Sequence, residues 1–309
     1  MSDRSHHLVA VSCGLCGADD PQPLGWLEDI RYGTLPHPVQ LVACRVCGFR
    51  YLTPQPQPGS EALFYPAGYD PYRRTGWTAT ARRLLLRREV RVLWPYLAPP
   101  RHVLEIGCAT GELLFIIRAA GNPFVSGIEP DPDAARIALR HGLDVRIGTL
   151  ETLALPSTAY DTVLLQHVLE HLPEPGRALA RVAELLRPGG TLVLWLPNGD
   201  SWAARCFGSA WMGYDPPRHR SVFTPATLLR ACAQVGLEII AEHHEWHGLE
   251  WAWGLRLLAR AKGWRRIEHA LARLHFAAIL ATTPIALAAA LARRSGRIRI
   301  LARKRVPES

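Results

Sequence analysis

The pattern of apolar and polar positions changes character several times along the 309 residues. Between 101 and 245, short apolar runs alternate with segments of helical spacing. Residues 102–106, 124–128, 144–147, 160–166, 191–196 and 237–243 are runs rich in Val, Leu and Ile, which predicts strands. Residues 111–120, 131–141 and 174–187 carry apolar side chains at helical intervals. A further helix opens with Thr224 as cap and Pro225 at its first position, and Gly236 lies past its end. This alternation predicts an α/β fold, a Rossmann-like, doubly wound and mostly parallel sheet. Upstream, Phe64, Tyr65, Tyr69, Tyr72 and Trp77 precede a segment, 81–94, whose apolar residues suit one side of a helix. Downstream, 249–295 are rich in Trp, Leu, Ala and Arg and read as helical. Residues 297–304 then alternate charged and apolar, which predicts a late strand returning to the same sheet.

Composition adds boundaries. With 48% hydrophobic and 20% charged residues the chain can build a core without disulfides. Seven cysteines, four of them in two C-x-x-C pairs, point to metal and a reducing compartment. The apolar stretch 8–11 is too short for a secretory signal, so a cytoplasmic location is expected. The net charge of +9 is unevenly spread: residues 255–309 hold thirteen Lys or Arg and two Glu, which leaves the remainder slightly acidic. The basic character therefore belongs to one segment and is not read as affinity for nucleic acid.

Cys13-x-x-Cys16 and Cys44-x-x-Cys47 are each followed by Gly, which suits a turn that aims backbone N–H groups at sulfur. Four thiolates in two such pairs make a closed tetrahedral site, so structural zinc is expected. A thioredoxin-like redox pair is excluded, because neither pair opens a helix inside a β-α-β unit. The Pro-rich stretch 53–59 reads as a linker. The expected organisation is a zinc ribbon with that linker (1–60), a helical lead-in (61–100), a Rossmann-like domain (101–248 with 296–305) and a helical insertion (249–295).

The strand-to-helix turn Gly107-Cys108-Ala109-Thr110-Gly111 lets the backbone approach a ligand, and the next strand ends in Glu129, an acidic residue able to accept both ribose hydroxyls. The segments V-L-E-I-G-C-A-T-G, G-I-E-P-D, Y-D-T-V-L-L-Q-H-V-L-E-H-L and L-L-R-P-G-G-T-L-V-L follow one another in an order that resembles class I S-adenosylmethionine (SAM) methyltransferases, over about residues 100–245. The resemblance implies that Glu105, Gly107 and Gly111 line the methionine part of the cofactor and that Glu129 holds the ribose. Thr149 and Leu150 would lie beside the adenine, and Gln166 and His167 near the methyl group. Ala109 departs from the usual middle glycine, Glu105 from the commoner Asp, and Thr149 from the Asp of many relatives. The cysteine pairs, with Y-L-T-P-Q-P and F-Y-P-A-G-Y-D-P-Y after them, resemble bacterial methyltransferases with an N-terminal zinc ribbon, many of which act in sugar, glycolipid or surface-polysaccharide pathways.

Two clusters are candidates for the chemistry, 166–171 after the fourth strand and 215–219 after the fifth. His219 is the leading general base, against a reading as a loop-bracing histidine. Glu170 and His171 either act or cap and pack the following helix. Together, Glu170, His171 and His219 resemble the metal-holding set of ubiquinone-pathway and small-RNA terminal O-methyltransferases, although those families usually have a second Glu where this chain has His167. Trp202, Phe207, Trp211, Met212 and Tyr214 read either as a stacking lid or as packing.

The expected activity is methyl transfer to a small or lipid-linked acceptor, a sugar or glycolipid in first place. The alternatives are a quinone- or RNA-directed O-methyltransferase using the Glu/His set, and a zinc-ribbon interaction protein with a relic Rossmann domain. Residues 274–292 lack Asp, Glu, Lys and Arg, but Pro284 and the many alanines argue against a transmembrane span. Residues 249–295 read as a helical cap on the sheet. The other reading is peripheral membrane contact through Arg256, Arg260, Lys262, Arg265 and Arg266 with Trp251, Trp253 and Trp264.

Overall fold

The computed structural model describes residues 4–66 and 76–306. Tyr69 and Tyr72 lie outside the described residues, as does the side chain of Trp77.

The N-terminal region contains β1 (Leu8–Val9), β2 (Pro21–Leu27), β3 (Val39–Cys44), β4 (Arg50–Thr53) and β5 (Gln55–Pro56). Strands β2, β3 and β4 form an antiparallel meander, and β5 pairs with β1. The expectation of a linker at 53–59 is overturned. Gln55 and Pro56 are buried, and the Gln55 amide donates to the carbonyls of Leu52 and Arg220. Local composition predicts a linker, but packing has enlisted the segment.

Helix α1 (Gly76–Leu97) leads into β6 (Val103–Ile106), α2 (Glu112–Ala119), β7 (Val125–Glu129), α3 (Pro132–Arg140) and β8 (Asp144–Ile147). Next come β9 (Tyr160–Gln166), α4 (Pro175–Leu185), β10 (Leu186–Pro197) and α5 (Trp202–Phe207). The rest of the chain forms β11 (Ser221–Val222), α6 (Pro225–Gln234), β12 (Leu237–His244), α7 (Leu249–Ala261), α8 (Arg265–Arg273), α9 (His275–Leu291) and β13 (Arg297–Lys304). Strand β10 starts earlier than the apolar run suggests, with a register slip between Leu186 and Thr191.

The central seven-stranded sheet has the order β12-β13-β10-β9-β6-β7-β8. All pairs from β10 through β8 are parallel, while β13 runs antiparallel to both of its neighbours. The late strand thus returns to the sheet, wedged between β10 and β12. Period-2 alternation splits the core between two faces. Leu104, Ile106, Val163 and Leu165 pack with α4, α6 and the N-terminal residues Phe49 and Tyr51. Val103, Leu164 and Val193 pack with α1, α2 and α3. A third cluster joins Leu27, Leu41 and Leu52 of the N-terminal sheet to Phe207, Trp211 and Trp251. Strand β11 also pairs with β4, so the loop after β10 adds a strand to the N-terminal sheet.

Candidate functional site

The strand order reverses between the parallel neighbours β6 and β9, and ligands in such sheets sit in the crevice at the carboxyl ends there. Gly107 (φ 68°) and Gly111 (φ 75°) hold the turn after β6 in the left-handed region. Neither leaves room for a side chain: a Cβ at 107 would lie 2.7 Å from Val168 Cγ2, and one at 111 would lie 2.4 Å from Leu143 Cδ1. Ala109 adopts the same region at φ 50° and bears the strain that a glycine would avoid.

Glu129, at the end of β7, is buried. One of its carboxylate oxygens accepts the Ala109 N–H (2.7 Å) and the other the Asp131 N–H (2.9 Å). Burial raises its pKa, and these two amides partly offset the rise. The Gly148 N–H donates to the Glu129 carbonyl at 3.0 Å, which sets Thr149 and Leu150 beside it. Leu150 is buried, and the Thr149 hydroxyl engages Thr152. Glu105, in β6, is buried with its Oε2 lacking a partner, and desolvation pushes its carboxyl up to about 8. Gln166 ends β9 opposite Trp195. The structure therefore brings Glu105, Gly107, Gly111, Glu129, Thr149, Leu150 and Gln166 around one edge of the sheet.

His167 follows with φ 54°, its backbone held by the Trp195 carbonyl and its Nδ1 lying 3.3 Å from Glu170 Oε1. Glu170 is buried and its other oxygen has no partner. Burial alone would raise its carboxyl, but the His167 hydrogen bond and the positive potentials of His167, His219 and His171 hold it at about 2. His171 and His219 pack edge to face, with centroids 4.7 Å apart. His171 Nδ1 lies 2.9 Å from the Arg218 carbonyl and His219 Nδ1 lies 2.7 Å from the Gly213 carbonyl. A carbonyl only accepts, so Nδ1 carries the proton in both rings and Nε2 keeps its lone pair when the ring is neutral. Desolvation, followed by the His219 charge, keeps the His171 ring neutral by lowering its pKa to about 4. Ligand atoms of Glu170, His171 and His219 lie within 4.8 Å of one another. Two imidazoles oriented by backbone carbonyls beside a carboxylate oxygen without a partner fit a divalent cation.

The loop carrying His219 is fixed by contacts that sequence patterns do not reveal. Arg218 is fully buried and donates to both carboxylate oxygens of Asp29 (2.7 and 3.0 Å) and both of Asp215 (3.0 Å each). It also reaches Thr34 and the carbonyls of Phe64 and Pro216. Arg220 reaches Gln55, the Pro56 carbonyl and Glu61. The aromatic loop residues are mostly packing: Trp211 and Phe207 are buried, and the Trp211 ring nitrogen donates to Glu250.

The sulfurs of Cys13, Cys16, Cys44 and Cys47 also lie within 4.8 Å of one another. The Cys13–Cys47 and Cys16–Cys44 separations are both 3.6 Å. A tetrahedron with Zn–S bonds of about 2.3 Å has edges of about 3.8 Å. Gly17 and Gly48, both with positive φ, close the two knuckles onto the carbonyls of Cys13 and Cys44 at 2.7 Å. Donor set and spacing fit zinc.

A family model described as a methyltransferase domain matches residues 78–242, just over half of the chain. An uncharacterized protein of Mycobacterium tuberculosis is 31% identical over 193 residues, which cover 61% of this chain and 62% of that protein. A ubiquinone biosynthesis O-methyltransferase of Xanthomonas oryzae pv. oryzae is 35% identical over 139 residues, 41% of this chain and 58% of that one. The chain thus spans about three fifths of the length of these relatives. A SAM-dependent methyltransferase from Archaeoglobus fulgidus superposes with a TM-score of 0.49 at 20% identity, over 72% of this chain and 94% of that one.

Proposed function

As the chain belongs to the methyltransferase-domain family, we propose that it moves the methyl group of SAM to a hydroxyl oxygen of a small or lipid-linked acceptor. The observation that carries the oxygen-directed reading is the convergence of Glu170, His171 and His219 beside the glycine turn, each imidazole oriented by a carbonyl.

Glu129 would hold the ribose hydroxyls, and Glu105, Gly107 and Gly111 would line the methionine portion. Thr149 and Leu150 would flank the adenine, and Gln166 would border the methyl. SAM supplies an electrophilic methyl on a sulfonium, so the chain must align the acceptor in line and exclude water. A divalent ion held by Glu170, His171 and His219 would supply Lewis acidity, which lowers a hydroxyl's pKa. His167, hydrogen-bonded to Glu170 and one third exposed, would take the acceptor proton. The four cysteines hold structural zinc in this reading, and the ribbon braces the His219 loop through Asp29 and Arg218.

A sugar or glycolipid is the leading acceptor. The relative named for ubiquinone biosynthesis favours a quinone-pathway phenol as the second reading. The test is transfer of radiolabelled methyl from SAM into nucleotide sugars, glycolipids and polyprenyl phenols, with magnesium or manganese added to the zinc-replete protein. Product that needs the added ion, and is lost in Glu170→Gln, supports the reading. Ion-independent methylation of nitrogen or carbon acceptors would overturn it.

A further inference from the structure

Helix α9 is apolar all round, yet only Ala286 and Ala289 of its seventeen residues are buried. Such a helix ordinarily demands cover on every side. It leans on α7: Thr282 donates to the Gly248 carbonyl, and Thr283 accepts the Gly248 N–H. Its opposite side carries Leu280 (74% exposed), Leu287 (45%) and Leu291 (79%). At 100° per residue these three fall within about 40° of one another, so they form one stripe.

Helix α8 buries none of its residues and meets α9 at a 90° bend. It exposes Ile267, with Trp264 before it and Leu274 after it, both more than half exposed. Lys262, Arg265, Arg266 and Arg273 are exposed there and make no ion pair among the described residues. The acidic residue of α8, Glu268, is already neutralised by Arg256 and Arg260. Trp251 and Trp253, expected in an interfacial face, are committed elsewhere. Trp251 is buried against Phe207, and Trp253 stacks with Arg31 and Arg256.

We propose that the outer side of α8 and α9 is a docking surface for an anionic lipid bilayer, lying in the interface with the leucine stripe among the acyl chains. Charge decides the occupant. A second copy docked on this side would bring like cations together, whereas anionic headgroups complement them. Among the described residues no single helix is long and apolar enough to cross a membrane, and α9 stays fastened to α7. None of the side chains of this surface is among those assigned to the cofactor or to the chemistry, so its test is independent of methyl transfer.

The test is co-sedimentation of the full chain with vesicles of phosphatidylcholine alone or with phosphatidylglycerol added, at low and high salt. Expected is binding to the anionic vesicles that exceeds binding to the neutral ones by about tenfold or more and weakens with salt. The double variant Leu280→Asp/Leu287→Asp should lose about tenfold or more on the anionic vesicles. The triple variant Arg265→Gln/Arg266→Gln/Arg273→Gln should lose the salt dependence. All these side chains are exposed, and unchanged near-ultraviolet circular dichroism checks the fold. Equal binding to both vesicle types, or no effect of the variants, would overturn the proposal. So would sedimentation of a dimer that Leu280→Asp dissolves, which would assign the stripe to a second copy.

Discussion

Removing one partner of the Arg218 clamp is expected to cost far more than a surface ion pair. Arg218 is fully buried between Asp29 and Asp215, and Arg31 approaches Asp215 at 4.0 Å, so two cations and two carboxylates balance. Asp29→Ala leaves a buried guanidinium facing one carboxylate and strips two of its hydrogen bonds. It also strips the Thr34 backbone and hydroxyl bonds and the Tyr32 N–H bond that Asp29 accepts. Breaking a buried pair this way costs about 3–5 kcal/mol. At about 2.1 cal/mol/K per residue, 309 residues give an unfolding entropy near 0.65 kcal/mol/K. The midpoint should therefore fall by about 5–8 °C. Asp29→Asn, which keeps the shape, should fall by less. Differential scanning calorimetry measures the shift, and hydrogen exchange should rise over 213–222, the loop that positions His219. A midpoint within about 1 °C of wild type would refute the reasoning, as would unchanged exchange in that loop.

Three further outcomes are expected. Ala109→Gly relieves a left-handed alanine and should stabilise by about 0.5–1 kcal/mol, after the added freedom of the unfolded chain is subtracted. Gly111→Ala forces a Cβ against Leu143 at positive φ and should abolish SAM binding or folding, read by calorimetry and circular dichroism. Glu105 is raised from the ordinary carboxyl value to about 8, so the folded state holds a proton that the unfolded state has released between about pH 4.5 and 8. Its contribution to stability is thus full below that window and lost as pH rises through it, by about 5 kcal/mol at most. Glu105→Gln should flatten the fall in melting midpoint from pH 5 to pH 8.

The sheet was largely legible because buried parallel strands appear as unbroken apolar runs: 160–166 and 191–196 both fall within strands. The glycine turn and Glu129 were legible because close backbone approach and an acidic strand end impose residue types. Local patterns missed what distance creates. Asp29 and Arg218 are 189 residues apart in sequence, and no period links them. The two-residue strand β11 is too short to leave a signal, yet with the Arg218 and Arg220 contacts it ties the His219 loop to the N-terminal sheet. Residues 53–59 look like a linker by composition, yet the buried Gln55 serves two carbonyls. The all-round apolarity of α9 hides which side is covered, since a helix without an amphipathic pattern carries no directional sign.

The most direct test of the central claim is calorimetric titration of the zinc-replete protein with SAM, beside Glu129→Ala. Glu129 is held in place by the amides of Ala109 and Asp131, so its removal deletes the proposed ribose acceptor at the end of β7. Saturable one-to-one binding that Glu129→Ala weakens by at least about tenfold, equivalent to about 1.4 kcal/mol, is the predicted result. No binding by the intact protein, or equal binding by the variant, would contradict the assignment of this crevice to the cofactor.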